Sequence, residues 1–182
     1  PGVMNGDPRV FEDAVFIDEI SFNEAVEMTF YGATVIHPKT IKPLQNKNIP
    51  LLVKSFINPE GKGTVVGGRD NNLPPIRIVK NDQALITLHT KDFSFVEDEI
   101  VAEIFSSFSK ANLKLNMMQQ GAISFEAIVD NIPEKIEKVK AMLQDRFDFV
   151  IDENLSILTI RHYTNFEYIN KFKNDRVAIL EQ

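Results

Sequence analysis

The 182-residue chain contains no cysteine and no tryptophan. Without thiols it can hold no disulfide framework, no thiolate metal site and no cysteine nucleophile. That fits a reducing compartment, and a cytoplasmic location is expected. No run of about 18 apolar residues occurs, so no transmembrane helix is expected. No signal-peptide pattern is visible. No basic run exists either: the net charge is −6 and is spread along the chain. This argues against nucleic acid or an anionic membrane as the main partner. Of the three histidines, His89 and His162 have no partner at metal-ligand spacing, and His37, before Pro38, reads as structural at a helix start rather than catalytic, so no metal site is expected.

What remains is a chain with 43% hydrophobic residues and 14 phenylalanines, enough apolar material for one or two domains. Its first residues, Pro1-Gly-Val-Met-Asn-Gly-Asp-Pro-Arg9, read as a tight loop. Gly2, Gly6 and Pro8 favour an irregular backbone, and Asp7 and Arg9 put opposite charges beside it. Such a loop follows a strand and faces a ligand. The chain therefore reads as the back part of a larger enzyme.

Ser21-Phe22-Asn23-Glu24 is a capping box, and Phe22, Ala25, Val26, Thr29 and Phe30 follow at helical spacing to a stop at Gly32. A second short helix is expected over 38–47, opened by Pro38, with Ile41 and Leu44 inward. Residues 51–56 and 64–66 read as strands. Gly61-Lys62-Gly63-Thr64 lacks the full phosphate-loop frame and reads as a turn. Residues 71–75, at the end of a Gly-, Asn- and Pro-rich stretch, are the expected linker.

Beyond the linker, strands are expected at 76–80 and 84–89, a helix at 98–111, strands at 113–119 and 122–129, a helix from Pro133, and strands at 147–151 and 155–161. Glu97-Asp98-Glu99 suits a helix N-terminus. Met117-Met118 reads as strand packing. A short helix at 166–172 and a last strand at 176–180 complete the reading. From 84 to 151 the order is β-α-β-β-α-β, which is ferredoxin-like. A second β-α-β begins at 155. The fold class is α+β.

The chain resembles aspartate kinases. The resemblance runs through Pro1–Val10 (PGVMNGDPRV), Ile20–Thr40 (ISFNEAVEMTFYGATVIHPKT), Ile49–Thr64 (IPLLVKSFINPEGKGT), Ile86–Phe95 (ITLHTKDFSF), Leu115–Phe125 (LNMMQQGAISF) and Leu155–Tyr163 (LSILTIRHY). It implies tandem ferredoxin-like ACT units preceded by an α/β fragment of an amino-acid-kinase domain. The implied boundaries are 1–70 for the kinase fragment and 71–75 for the linker. A first ACT domain would span 83–151, and an incomplete second one 76–82 with 152–182.

By position, Met4 would lie on the adenine side of a nucleotide, Arg9 would approach its phosphates, and Asp7 would shape the loop. Thr34 stands where many members have a phosphate-binding lysine. ATP and Mg²⁺ belong to the full-length enzyme. The Lys-Phe-Gly-Gly-Thr-Ser-like segment with which family members begin does not occur here, so neither activity nor cofactor is expected of this piece by itself.

The resemblance also implies an amino-acid effector, lysine or threonine, held by Phe93, Ser94, Phe95, Val96, Asn116, Gln119 and Gln120. Lysine-sensitive members commonly place an Asp where Asn116 stands, and Thr-Ser-Glu where this chain has Gln120-Gly121-Ala122. A homodimer through residues 84–129 is expected, since pairing satisfies exposed sheet edges. The alternative is a non-enzymatic amino-acid-binding or dimerisation module.

Overall fold

The structure, a computed structural model, describes residues 2–34, 36–170 and 172. The fold is α+β, as the sequence pattern indicates. The chain divides into two compact units, residues 80–157 and residues 1–79 with 158–182.

In the 80–157 unit, strands β4 (Ile76–Thr90), β5 (Leu115–Gln120), β6 (Ser124–Asp130) and β7 (Phe147–Arg161) form one sheet in the order β5-β6-β4-β7. This is the ferredoxin-like order. β6 runs antiparallel to both β4 and β5. Alternation along β4 and β6 puts Ala84, Ile86, Leu88, Phe125, Ala127 and Val129 on one face. Helices α3 (Asp98–Lys110) and α4 (Pro133–Leu143) cover that face with Ile100, Ile104, Phe108, Ile136, Val139 and Leu143. Each fully buried side chain of this size contributes roughly 1.5–3 kcal/mol of transfer free energy. Acidic residues open α3 and Lys110 closes it, complementing the helix dipole.

β4 and β7 are each one strand where the sequence suggests two. The polar stretches that read as breaks, Asn81-Asp82-Gln83 and Asp152-Glu153-Asn154, are accommodated by left-handed residues at Asp82 (φ 59°) and Asn154 (φ 59°). Asp and Asn tolerate that conformation better than most residues.

In the other unit, β1 (Glu19–Ile20) lies parallel to β3 (Thr64–Val66), and β2 (Leu51–Val53) pairs antiparallel with β3. β1 was not legible in the sequence, being only two residues long. Helix α1 (Phe22–Phe30) packs Ala25 and Met28 into a core with Val3, Ile17, Ile20, Ile41, Val66, Ile76 and Ile78. Gly67 adopts φ +109°, and a Cβ there would stand 2.6 Å from the Phe22 ring, so the turn after β3 needs glycine. Helix α2 (Pro38–Asn46) is capped by His37, whose Nδ1 accepts from Lys39 N at 3.2 Å. A short α5 (Phe166–Asn170) follows β7. The strand expected at 176–180 lies outside the described residues. No helix among the described residues is long and apolar enough to cross a membrane.

The capping box of α1 is half realised. Ser21 Oγ accepts from Glu24 N at 3.0 Å, but Ser21 N donates to Asp70 Oδ1 at 2.6 Å. The Glu24 carboxylate is committed elsewhere.

Candidate functional site

Three polar groupings and one aromatic loop stand out. The first holds the opening residues. Val3 N donates to Thr64 Oγ1 at 2.7 Å, and Thr64 Oγ1 donates to Ile17 O at 2.6 Å. Thr64 is thus a buried tie, in keeping with a turn rather than a phosphate loop. Asn5, also buried, accepts from Val15 N at 2.7 Å and donates to Pro75 O at 2.9 Å. Arg77, buried along β4, donates through one terminal nitrogen to both oxygens of Asp13 at 2.7 and 3.0 Å. Its guanidinium lies 4.3 Å from the centre of the Phe11 ring, a favourable cation–π placement. Asn5, Asp13 and Arg77 were not picked out by the sequence reading, because nothing in their local spacing signals a contact between residues some seventy positions apart.

On this frame sit Met4, Asp7 and Arg9. Met4 pairs with Phe16 in an isolated bridge. Arg9 donates to Asp7 from its side chain at 2.7–3.2 Å and from its backbone N–H at 2.9 Å. The Arg9 side chain is 87% exposed. The hydrogen bonds from Arg9 hold the Asp7 carboxyl down at about 2. Arg9 is thus an exposed guanidinium engaged by one carboxylate. The described residues do not gather three or more His, Asp or Glu side chains in a metal-holding arrangement.

The second grouping centres on one buried carboxylate, Glu24, and was missed. Arg161, at the end of β7, donates through Nε to Glu24 Oε1 and through a terminal nitrogen to Glu24 Oε2, both at 2.9 Å. Its other terminal nitrogen reaches Glu27 Oε2 at 3.1 Å. His162 Nε2 lies 3.0 Å from Glu24 Oε2. The Glu24 side chain is only 4% exposed. Burial pushes its carboxyl upward, but the hydrogen bonds from Arg161 and His162 outweigh that and hold it below the ordinary glutamate range. The available signal was two glutamates three apart on one face of α1, which the capping-box reading absorbed.

The aromatic loop follows β4. Thr90 Oγ1 donates to Ser94 O at 2.9 Å, Ser94 N donates to Asp92 Oδ1 at 3.0 Å, and Val96 N donates to Ala122 O at 2.8 Å. Gln120 Nε2 donates to Val96 O at 2.5 Å, tying the end of β5 to the loop. Val96 is buried, whereas Phe93 and Phe95 are 76% and 65% exposed. Phe93 has φ 60°. The loop therefore presents two aromatic side chains outward on a hydrogen-bonded base.

Of the expected effector residues, Phe93, Ser94, Phe95, Val96 and Gln120 come together here. Gln119 pairs across strands with Glu126, on the opposite sheet face from Gln120, which pairs with Phe125. Asn116 lies four residues back along β5, about 13 Å away at strand spacing. There it joins the third grouping, with Lys80, Gln83 and Asp130.

Residues 1–55 match the amino acid kinase family. The chain is 34% identical over 132 residues to lysine-sensitive aspartokinase 3 of Escherichia coli (strain K12), covering 71% of this chain and 29% of that protein. It is 32% identical over 155 residues to the chloroplastic bifunctional aspartokinase/homoserine dehydrogenase 2 of Zea mays, covering 80% and 17%. The structure of E. coli aspartokinase III in complex with aspartate and ADP superimposes with a TM-score of 0.72 at 28% identity, over 88% of this chain and 38% of that one. The chain thus spans less than a third of the length of these curated relatives, yet a kinase-family match, aspartokinase relatives and an aspartokinase fold agree: it belongs to the aspartokinase family.

Proposed function

We propose that these residues are the C-terminal regulatory portion of an aspartate kinase, which as a whole would convert ATP and L-aspartate to ADP and 4-phospho-L-aspartate in the cytoplasm. Residues 1–70 would close the nucleotide side of the catalytic domain, with Met4, Asp7 and Arg9 facing the nucleotide, and 71–75 would be a linker. Residues 83–151 would be a first ACT domain, with 76–82 and 152–182 belonging to a second. Its expected partners are a second copy, through residues 84–129, and an amino-acid effector.

The single observation that carries this reading is the loop after β4 of a ferredoxin-like unit, with Phe93 and Phe95 turned outward over a base built from Thr90, Ser94, Val96 and Gln120. Two exposed aromatics beside backbone polar groups suit a small zwitterion with an aliphatic body. Asn116 and Gln119 would complete the contact set if a second copy or another ligand pose brings them within reach.

Isothermal calorimetry on the 182-residue protein with lysine, threonine and a panel of neutral amino acids tests the reading. At least one should bind, and Phe93→Ala should weaken it at least tenfold. Absence of binding across the panel at millimolar concentration would overturn the effector assignment. A hydroxamate assay should detect no aspartyl phosphate from these residues alone, because phosphoryl transfer needs positioned cations that they do not supply.

A further inference from the structure

Three strands of the 80–157 unit converge on one ammonium group. Lys80 Nζ donates to Asp130 Oδ1 at 2.6 Å and to Asn116 Oδ1 at 2.9 Å. The two acceptors do not depend on the lysine for their positions. Asn116 Nδ2 donates to Gln83 Oε1 at 2.7 Å and to Asp130 Oδ1 at 2.9 Å. Gln83 Nε2 donates to Asp130 Oδ1 at 3.1 Å and to the carbonyls of Asn81 and Asp82 at 2.9 and 3.1 Å. Gln83 is fully buried. With the Asn116 amide nitrogen committed to Gln83 and Asp130, its oxygen is left facing the lysine. A rigid, buried amide thus braces a carboxylate and a carbonyl oxygen, and a flexible four-carbon stem fills the space between them.

We propose that Asn116 and Asp130, braced by Gln83, form a primary-ammonium socket, and that Lys80 is its built-in occupant. A tethered amine competes at a high effective concentration, so free alkylammonium ions are kept out of the intact site. Burial raises the Asp130 carboxyl, but hydrogen bonds from Lys80, Asn116 and Gln83 outweigh that and keep it ionised near neutrality. The regulatory meaning rests on the effector reading above: a cationic effector reaching Asn116 would have to displace Lys80, whereas a neutral one would not. The socket itself stands without that reading.

Lys80→Ala removes Cγ to Nζ, which is the skeleton of n-propylammonium. Thermal unfolding of the 182-residue protein should show a midpoint a few degrees lower for Lys80→Ala. Propylammonium chloride should recover at least half of that loss, and tetramethylammonium chloride at equal ionic strength should recover none. Wild type should respond to neither, and the double variant Lys80→Ala/Asp130→Asn should lose the recovery. Equal responses in wild type and Lys80→Ala, no recovery in a folded Lys80→Ala, or recovery that survives Asp130→Asn would each overturn the proposal.

Should Lys80→Ala not fold, ¹⁵N NMR of the wild-type lysines decides. One slowly exchanging ammonium signal, absent in Asp130→Asn, is expected; uniformly fast exchange would overturn the socket. Amino-acid calorimetry on wild type reads the effector assignment separately, so the two can fail independently.

Discussion

Each unit closes an apolar core, but the two differ in what supports it. In residues 80–157 a four-stranded sheet and two amphipathic helices close one apolar core, and its stability rests on packing. In the other unit the β1-β3-β2 sheet has strands of two and three residues. Phe56 and Ile57 are 100% and 95% exposed there. That unit has an apolar core of its own around Ile20, Ile41 and Val66, and specific polar ties fix its path besides: Thr64 to Val3 and Ile17, Asn5 to Val15 and Pro75, Arg77 to Asp13, and Arg161 to Glu24. A packed core tolerates loss of a surface charge, whereas a tied framework is sensitive to the identity of a few polar atoms.

Perturbing each kind of support separates them. The largest loss is expected from Phe108→Ala, which empties the centre of the packed core and should cost about 3–5 kcal/mol, read by urea unfolding. Next comes Glu24→Gln. It leaves the partly buried Arg161 without its main carboxylate, and a loss of roughly 2–3 kcal/mol is expected, discounted because Arg161 retains Glu27 and some solvent.

This variant also carries a pH signature. The folded-state value of Glu24 lies below its ordinary value of 4.5, so its stabilisation is full above about pH 4.5 and is lost as pH falls through the lowered value. Wild type should lose stability in that acid window, and the difference from Glu24→Gln should shrink there. Lys80→Ala should cost about 1 kcal/mol, typical of a partly exposed pair. Asp7→Asn, at a surface pair between neighbours in the chain, should leave the melting midpoint unchanged. A measurable shift would show that the opening loop is a structural tie rather than a free surface element.

The elements of both units were legible to within a few residues: the helices expected at 21–31 and 38–47 and the strand at 64–66 stand as α1, α2 and β3. Apolar positions at helical spacing over 98–111 and alternation over 84–89 are local signals, and they located α3, α4 and the core strands to within a few residues. The β-α-β-β-α-β order then sufficed to name the topology. The ties were not legible, because each joins distant residues through atoms whose chemistry is satisfied only in three dimensions. Glu24 shows this best. Its spacing from Ser21 suited a cap, and only the fold reveals that its carboxylate serves Arg161 while Asp70 takes over the Ser21 N–H. The aromatic loop fell between these cases: Phe93 to Val96 and Gln120 meet at one end of the sheet, while strand alternation sends Gln119 to the other face and strand length sets Asn116 apart.

Phe93 bears on any effort to harden this protein against heat. Its left-handed backbone costs about 1 kcal/mol that glycine would not incur, and a side chain so exposed returns little of it. A search that rewards melting temperature alone will therefore favour glycine at that position and erase the ring. Under the proposed effector role of this loop, selecting for durability and selecting for recognition pull in opposite directions at this residue, and only a screen that scores both will keep the loop intact.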